Sequence, residues 1–350
     1  MALTAENLVD VPGLASRWVR LANGARAHYM TAGTSGPAVI LLHGGLPGSS
    51  GLAGWRFMAP YLGENGFRVY CPDMPGFGLS DTREEYWPDG MESFVDFIDQ
   101  FATALCLDEF HLAGNSMGCM NTVNYTVAHP DKVKSFILIA GDVGDVVPEH
   151  LTPPAGEFRL TAYDGTREGM RTMMEAIIHR GEAISEDLID MRYLSARDRM
   201  DAHAKFWPTL LQYRRITDWT DENRAARLVT KGRLDRLSTP GLYLYGRQDI
   251  LTPVEWGYVQ EDHLPNVQFF YPDECGHQGQ TDRPDLFNPV FLEFFRDGKV
   301  SGDLADAAGV SDRRPELPLI DRVMTLAASV IWLPCDSRGS SRVTVCTSTS

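Results

Sequence analysis

Three side chains in this 350-residue sequence have the types and the order that nucleophilic catalysis requires. Ser116 lies in the G-N-S-M-G segment at 114–118, and Asp249 and His277 follow it along the chain. A serine hydroxyl attacks a carbonyl only when a base removes its proton, and a carboxylate orients an imidazole base and stabilises the imidazolium. We predict Ser116 as the nucleophile, His277 as the base and Asp249 as the acid.

The local context distinguishes Ser116 from the many serines that lie near glycines. An apolar run at 109–113 predicts a strand, and residues 117–129 have the apolar spacing of a helix. A G-x-S-x-G segment between a strand and a helix is typical of a sharp elbow that exposes the serine oxygen. The alternative is an ordinary strand-to-helix turn with a capping serine.

The base and the acid are each chosen over one rival. His277 follows the last predicted strand, and Asp249 follows the strand before it, which is the order nucleophile, acid, base of one large hydrolase fold. His43 precedes the nucleophile and belongs to a different motif. Asp142 follows an earlier strand and remains the second candidate for the acid.

An oxyanion hole needs two backbone N–H donors. The first belongs to Met117, the residue after the nucleophile, and the second to the loop after the apolar strand AVILL. That loop reads H-G-G-L-P-G from His43 to Gly48, and the absent side chain of Gly45 lets its N–H approach a substrate oxygen. The alternative is a plain glycine turn.

The elements around these residues alternate between strand and helix. Strand patterns occur at 18–21, 27–30, 38–42, 67–71, 109–113, 134–140, 241–245 and 267–271. Asn23-Gly24 between the first two predicts a tight hairpin turn, whereas helical patterns separate most of the others. This alternation predicts a mostly parallel sheet with helices on both faces.

The alternation stops at 144–221, where only helical patterns occur. We therefore predict a core formed by 1–143 and 222–299, with 144–221 inserted as a helical cap. After Lys299 the apolar pattern decays, and the chain ends in a Ser/Thr-rich stretch. Residues 300–350 are predicted to be a largely disordered tail.

Composition excludes several classes of function. A net charge of −15 argues against nucleic acid and anionic lipid as partners. No stretch contains the ~18 apolar residues of a membrane span, and the first residues do not have the pattern of a secretory signal. The six cysteines lack the close spacing of a zinc site. We expect a cytoplasmic protein without a metal, acting on a small molecule.

Over about 15–297, the assembled pattern resembles the α/β-hydrolase superfamily, whose fold is an eight-stranded, mostly parallel sheet. Within it, the sequence is most similar to the meta-cleavage product hydrolases, which split a C–C bond in ring-opened aromatic compounds. The similarity rests on the loop at 43–48, the D-x-P-G-x-G-x-S-D segment at 73–81, the elbow, Arg192 and the pair Phe287-Asn288.

The resemblance also implies a set of substrate-binding residues. In this sequence the positions are Gly44, Leu46, Phe57, Asn115, Arg192 and Gln278. Three of them depart from the family pattern, because Leu46 replaces a glycine, Phe57 an asparagine and Gln278 a tryptophan. These departures leave the substrate open, whereas Arg192 and Asn115 are retained as partners for a carboxylate or carbonyl group.

The resemblance implies hydrolysis of a C–C bond in a ring-cleaved aromatic ketoacid. A carboxylesterase or lactonase would use the same triad, as would a cofactor-free peroxidase. A ligand receptor on the same fold is the alternative from another class. No cofactor is expected because serine, water and an oxyanion hole suffice for hydrolysis. The sequence leaves a homodimer and a monomer equally open.

Overall fold

The computed structural model of the protein describes residues 3–4, 6–89, 93–141, 143, 163–202, 204, 230 and 232–313. The strands in this part of the chain are β1 (Ala15–Arg20), β2 (Arg26–Ala32), β3 (Ala38–Leu42), β4 (Arg68–Pro72), β5 (Phe110–Asn115), β6 (Val133–Ile139), β7 (Gly241–Leu244) and β8 (Val267–Phe270). The α-helices are α1 (Gly51–Trp55), α2 (Met58–Glu64), α3 (Ser93–Ala104), α4 (Met117–Ala128), α5 (Arg167–Ile177), α6 (Glu186–Arg197), α7 (Val254–His263), α8 (Gly279–Asp282), α9 (Pro284–Asp297) and α10 (Gly302–Ala307).

The strands form one eight-stranded sheet in the order β1-β2-β4-β3-β5-β6-β7-β8. β1 pairs with β2, and β2 with β4, in antiparallel orientation. Every other neighbouring pair is parallel. The predicted fold class, a mostly parallel sheet flanked by helices, is confirmed, and each predicted strand overlaps a strand of the structure.

The centre of the sheet is buried on both faces. All five residues of β3, the AVILL run, are buried, as are all six of β5. Ile40 and Leu42 face the apolar cluster that contains α3 and α4, whereas Val39 and Leu41 face the one that contains α2 and α9. A strand covered by helices on both faces has no polar side, which explains why its sequence is continuously apolar.

The strand order reverses direction at β3. From β3 the chain passes to β4 on one side, and then crosses to β5 on the other. In open parallel sheets, the loops that leave two such strands diverge and form a crevice at their carboxyl ends. The loops that follow β3 and β5 here are those that carry the predicted oxyanion hole and Ser116.

The described part of the predicted cap contains α5 and α6. Both helices begin at side-chain caps, because the hydroxyls of Thr166 and Ser185 accept hydrogen bonds from the N–H groups of Gly169 (2.9 Å) and Leu188 (3.1 Å). Their apolar faces form a third buried cluster with residues of two core loops. The cluster includes Met170, Met174, Leu188, Ile189, Leu46 and Leu251.

Val143 and Thr230, which flank the predicted insertion in the sequence, are in contact. The Thr230 hydroxyl donates to the carbonyl oxygen of Val143 at 2.8 Å, and Val143 N–H donates to Gln260 Oε1 at 2.8 Å. The predicted return at residue 221 lies outside the described residues.

The prediction that the chain stops packing after Lys299 is wrong for residues 300–313. Val310 forms an antiparallel bridge with Phe270, and the N–H of Ser311 donates to the carbonyl oxygen of Phe269 at 2.9 Å. The physical reason is that β8 is an edge strand, whose unpaired backbone groups bind another extended segment. Residues 314–350, the rest of the predicted tail, lie outside the described residues.

No helix in the described ranges is long and apolar enough to cross a membrane. The same ranges contain no group of three or more histidine, cysteine, aspartate or glutamate side chains arranged to hold a metal ion.

Deleting residues 300–350 should destabilise the protein more than deleting residues 314–350. The first deletion alone removes the pairing with β8 and the buried side chains of Val300 and Ala308. Burial of one valine contributes about 1.5–3 kcal/mol, so the melting temperatures of the two truncated proteins should differ by about 2–5 °C. Equal melting temperatures, measured by circular dichroism, would show that the segment does not contribute to stability.

Candidate active site

Ser116 has a backbone conformation that L-residues rarely adopt. Between β5 and α4, its φ is 57° and its ψ is −117°. A Cβ added at Gly114 would lie 2.0 Å from the carbonyl oxygen of Gly118, and one added at Gly118 would lie 2.3 Å from that of Leu42. Glycine is therefore required on both sides of the serine. Such strain costs about 1–3 kcal/mol and persists where the surroundings enforce it.

The elbow brings Ser116 to a solvent-accessible position. Every other residue from Phe110 to Val127 is buried, whereas Ser116 is half-buried. The serine is also the N-cap residue of α4, so the positive end of the helix dipole and the first-turn N–H groups lie beside it. This position favours negative charge that develops on a bound substrate.

The structure brings His277 and Asp249 together. His277 Nδ1 lies 2.8 Å from Asp249 Oδ2, and both residues are buried. The other carboxylate oxygen of Asp249 accepts from the N–H groups of Leu251 (2.8 Å) and Thr252 (3.1 Å). These bonds fix the carboxylate, so Nδ1 carries the proton and Nε2 is the basic nitrogen. Among the described residues, the buried Nε2 has no hydrogen-bond partner. Asp142, the rival acid, lies outside them.

Asn115 has a different role from the predicted one. Its side-chain Nδ2 donates to the carbonyl oxygen of His277 at 2.9 Å and lies 3.4 Å from that of Ile139. The residue is 1% exposed. The amide hydrogens that were expected to bind substrate thus bind main-chain carbonyls. Asn115 therefore connects the nucleophile elbow to the base loop.

The two predicted oxyanion donors lie side by side. A Cβ added at Gly45 would lie 3.1 Å from the Cβ of Met117, and one added at Gly44 would lie 3.4 Å from the Cβ of Ser116. The loop after β3 thus packs directly on the elbow. Glycine permits the side chains of the elbow to approach the backbone of this loop closely.

His43, the rival base, holds this loop in place. Its Nε2 accepts from the N–H of Met74 at 2.9 Å, so its Nδ1 donates to the carbonyl oxygen of Gly44 at 2.7 Å. Burial lowers the pKa of His43 from 6.5 to about 4. The imidazole is therefore neutral at pH 7 with both nitrogens occupied, which is a structural role.

Arg192 is a buried cation that has no counter-ion among the described residues. In α6, it is 1% exposed, and its Nη1 donates to Ser49 Oγ at 2.9 Å in the loop after β3. Within the described ranges it forms no ion pair, and its Nε is buried without a partner. Burial, together with the charge of Arg56, lowers its pKa to about 9. A buried guanidinium with an unused donor suits an anionic ligand.

Arg56 is a second buried guanidinium, and no pattern in the sequence predicts its burial. It is 5% exposed at the end of α1, where Nη1 donates to the carbonyl oxygen of Ala53 at 3.0 Å. Its Nη2 has no partner among the described residues. Burial lowers its pKa to about 10, and the negative charge of Asp187 opposes that shift. One arginine after a short helix carries no periodicity from which burial can be inferred.

Phe57 does not line the candidate site as predicted. Its ring is 42% exposed and lies under the guanidinium of Arg56, 4.2 Å from the ring centroid. It borders a surface groove whose other lining residues include Tyr61, Pro284 and Pro289 and none of the other predicted site residues. The physical reason is that the side chain of Arg56, rather than that of Phe57, takes the buried position after α1.

The last two predicted positions are both buried. Leu46 packs in the apolar cluster of α5 and α6, which places it beneath the cap helices. Gln278 follows the base directly, and its buried Oε1 has no partner in the described part of the chain. Leu46 thus contributes an apolar surface, and Gln278 offers an acceptor that no described residue uses.

Comparisons with known proteins agree with this geometry. The model of the α/β hydrolase fold family matches residues 37–284. A 2-hydroxy-6-oxononadienedioate/2-hydroxy-6-oxononatrienedioate hydrolase of Dechloromonas aromatica is 27% identical over 84% of this chain and 99% of its own. A 2-hydroxy-6-oxo-6-phenylhexa-2,4-dienoate hydrolase of Comamonas testosteroni is 28% identical over 77% of this chain and 91% of its own.

Solved structures give the same result. The structure of a 2-hydroxy-6-oxo-6-phenylhexa-2,4-dienoate hydrolase from Rhodococcus sp. strain RHA1 superposes with a TM-score of 0.66 at 27% identity. The match covers 81% of this chain and 99% of that one. The resemblance to hydrolases of ring-cleavage products is therefore confirmed.

Acid should destabilise the protein through His43. Its pKa is about 4 in the folded state and 6.5 as the reference for the unfolded chain. Between these values the unfolded state binds more protons, so the free energy of unfolding falls as the pH drops from about 6.5 to 4, by up to ~1.4 kcal/mol per pH unit. Urea unfolding across this range should give a shallower pH dependence for His43→Asn. An unchanged slope would contradict the prediction.

Proposed function

The chain belongs to the α/β hydrolase family, and we propose that it is a serine-triad hydrolase that cleaves a C–C bond in a ring-cleaved aromatic ketoacid. The observation that carries the proposal is the elbow of Ser116 combined with the dyad of His277 and Asp249. A strained, accessible serine and a buried imidazole with an unoccupied Nε2 are the two halves of an activated nucleophile. The relatives named as dienoate hydrolases support the choice of substrate class.

In the proposed reaction, Ser116 Oγ attacks the carbonyl carbon beside the scissile bond while His277 Nε2 takes its proton. Asp249 stabilises the imidazolium that forms. The N–H groups of Met117 and Gly45 stabilise the oxyanion. When the tetrahedral intermediate collapses, the C–C bond breaks and the leaving carbon receives the proton from His277. Water, activated by the same imidazole, then hydrolyses the acyl-serine.

Arg192 supports a carboxylated substrate. A carbon leaving group departs with the bonding electron pair, so it must be delocalised into an adjacent conjugated carbonyl system. A 2-oxo acid supplies that system together with a carboxylate. The buried Nε of Arg192, which has no partner in the described part of the chain, offers the charge-assisted donor that this carboxylate needs.

A carboxylesterase or lactonase is the second candidate. The observation in its favour is the apolar cluster of the cap helices, in which Leu46 packs with Met170, Met173 and Met174. Methionine side chains adapt to irregular apolar shapes, which suits a neutral ester. The triad chemistry would be the same, except that an alkoxide would leave instead of a carbanion.

Replacing Ser116 with alanine should abolish turnover and leave the fold intact. Without the hydroxyl, only oxyanion stabilisation and binding remain, so the rate should fall to about a thousandth of wild type or less. The assay follows the loss of absorbance of a yellow dienol-ketoacid, with a p-nitrophenyl ester measured in parallel. Ser301→Ala, at an exposed helix cap, is the matched control. A variant with substantial activity would refute the nucleophile assignment, and a wild type inactive on every substrate would favour a receptor.

Replacing Arg192 with methionine should impair the ketoacid reaction selectively. The change keeps the side-chain length and removes the charge, so catalytic efficiency on the dienol-ketoacid should fall about ten- to a hundredfold. Hydrolysis of a neutral p-nitrophenyl ester should change little. Arg197→Ala is the control, because Arg197 lies on the same helix and pairs with Asp198 at the surface. A wild type that hydrolyses esters well and shows no turnover of the ketoacid would rule out the C–C hydrolase.

A further inference from the structure

Asp282 is a buried carboxylate for which the reaction above has no use. It lies in α8, five residues after His277, and is 3% exposed. Its carboxylate forms no ion pair within the described ranges, and burial raises its pKa. A buried charge that lacks a cation is costly unless hydrogen bonds satisfy it, so its bonding partners indicate its role.

The two oxygens of Asp282 bind two different parts of the chain. Oδ2 accepts from the N–H of Gly276 at 2.8 Å, immediately before the base. Oδ1 accepts from the N–H of Arg180 at 2.7 Å, in the segment that follows the cap helix α5. A single carboxylate therefore connects the base loop to the cap.

Two further contacts also connect the base loop to the end of α5. The N–H of His277 itself donates to the carbonyl oxygen of Ile177, the last residue of α5, at 2.9 Å. A Cβ added at Gly276 would lie 2.7 Å from the same oxygen, so the two backbones are in direct contact. The position of the base thus depends on the cap as well as on the core.

We propose that Asp282 is a positioning residue that holds the His277 loop against the end of α5, and so sets the reach of Nε2 toward Ser116. The inference rests on the proposed role of His277 as base. Asp282 does not touch the reacting atoms. Displacement of a catalytic group by about 1 Å can cost about a hundredfold in rate.

The test measures the base independently of the physiological substrate. A fluorophosphonate reacts with an activated serine in any hydrolase of this kind, and saturation kinetics separate its binding constant from the rate of bond formation at Ser116. In Asp282→Asn, the amide NH₂ replaces one oxygen and faces a backbone N–H. We expect the rate of bond formation to fall about ten- to a hundredfold with the binding constant unchanged. Asp285→Asn, three residues along at an exposed ion pair, should react like wild type.

A second pair of variants tests the hydrogen bond between the N–H of Arg180 and Asp282 Oδ1. Arg180→Pro removes the N–H that donates to Oδ1, whereas Arg180→Ala removes only a surface side chain that pairs with Glu182. Arg180→Pro should slow the reaction and Arg180→Ala should not. The double variant with Asp282→Asn should be no slower than the slower single variant, because both break one connection.

Each outcome decides the matter. The proposal is overturned if a folded Asp282→Asn protein reacts at the wild-type rate. It is also overturned if the controls Asp285→Asn and Arg180→Ala lose as much of the rate of bond formation as Asp282→Asn does. If Asp282→Asn does not fold, a wild-type rate in Arg180→Pro overturns it instead. A wild type that reacts with the fluorophosphonate and leaves the dienol-ketoacid intact refutes the proposed reaction alone. A wild type that the probe does not label at Ser116 refutes the role of His277 as well.

Discussion

The left-handed backbone of Ser116 is the constraint on which the arrangement of the site depends. It turns the chain from β5 into α4 so sharply that the glycines on either side touch each other and the end of β3. The strain persists because β3 and β5 are buried, fully paired strands that cannot yield to it. Buried strands in the centre of the sheet thus support a strained conformation, as expected where backbone strain serves a function.

Much of the fold could be predicted because its signals are local. AVILL is continuously apolar since both faces of β3 are covered, and the Asn23-Gly24 turn sets the β1–β2 hairpin. The chain order of Ser116, Asp249 and His277 was also readable, because the carboxyl ends of parallel strands meet at one edge. In the structure Asp249 and His277 are hydrogen-bonded, whereas their roles as acid and base remain predictions.

What could not be predicted depends on contacts between distant segments. The segment after Lys299 pairs with β8 through backbone groups, which leave no apolar pattern in a sequence. The family resemblance assigned Asn115 to the substrate, yet its side-chain Nδ2 donates to a carbonyl of the protein itself. Likewise, nothing in the local sequence indicates whether Arg56 or Phe57 is the buried one.

The buried charged side chains differ in how fully their hydrogen-bonding groups are used. Each carboxylate oxygen of Asp282 accepts a hydrogen bond from a backbone N–H group. Arg192 and Arg56 retain buried N–H groups without partners among the described residues, so their charges remain available. Removing an ion from water is expensive, so a guanidinium N–H group that is buried without a partner favours binding of an anion.

The hydrogen bond from His277 to Ile177 has a consequence for how such enzymes can diverge or be redesigned. A cap is often regarded as an exchangeable specificity module grafted onto a constant catalytic core. Here the backbone of His277, the proposed base, is itself hydrogen-bonded to the end of α5 in the predicted cap. A chimera that receives a foreign cap would inherit a new substrate pocket and lose the support of its own imidazole. Recombination should therefore succeed only when the crossover retains the end of α5 together with the recipient's base loop.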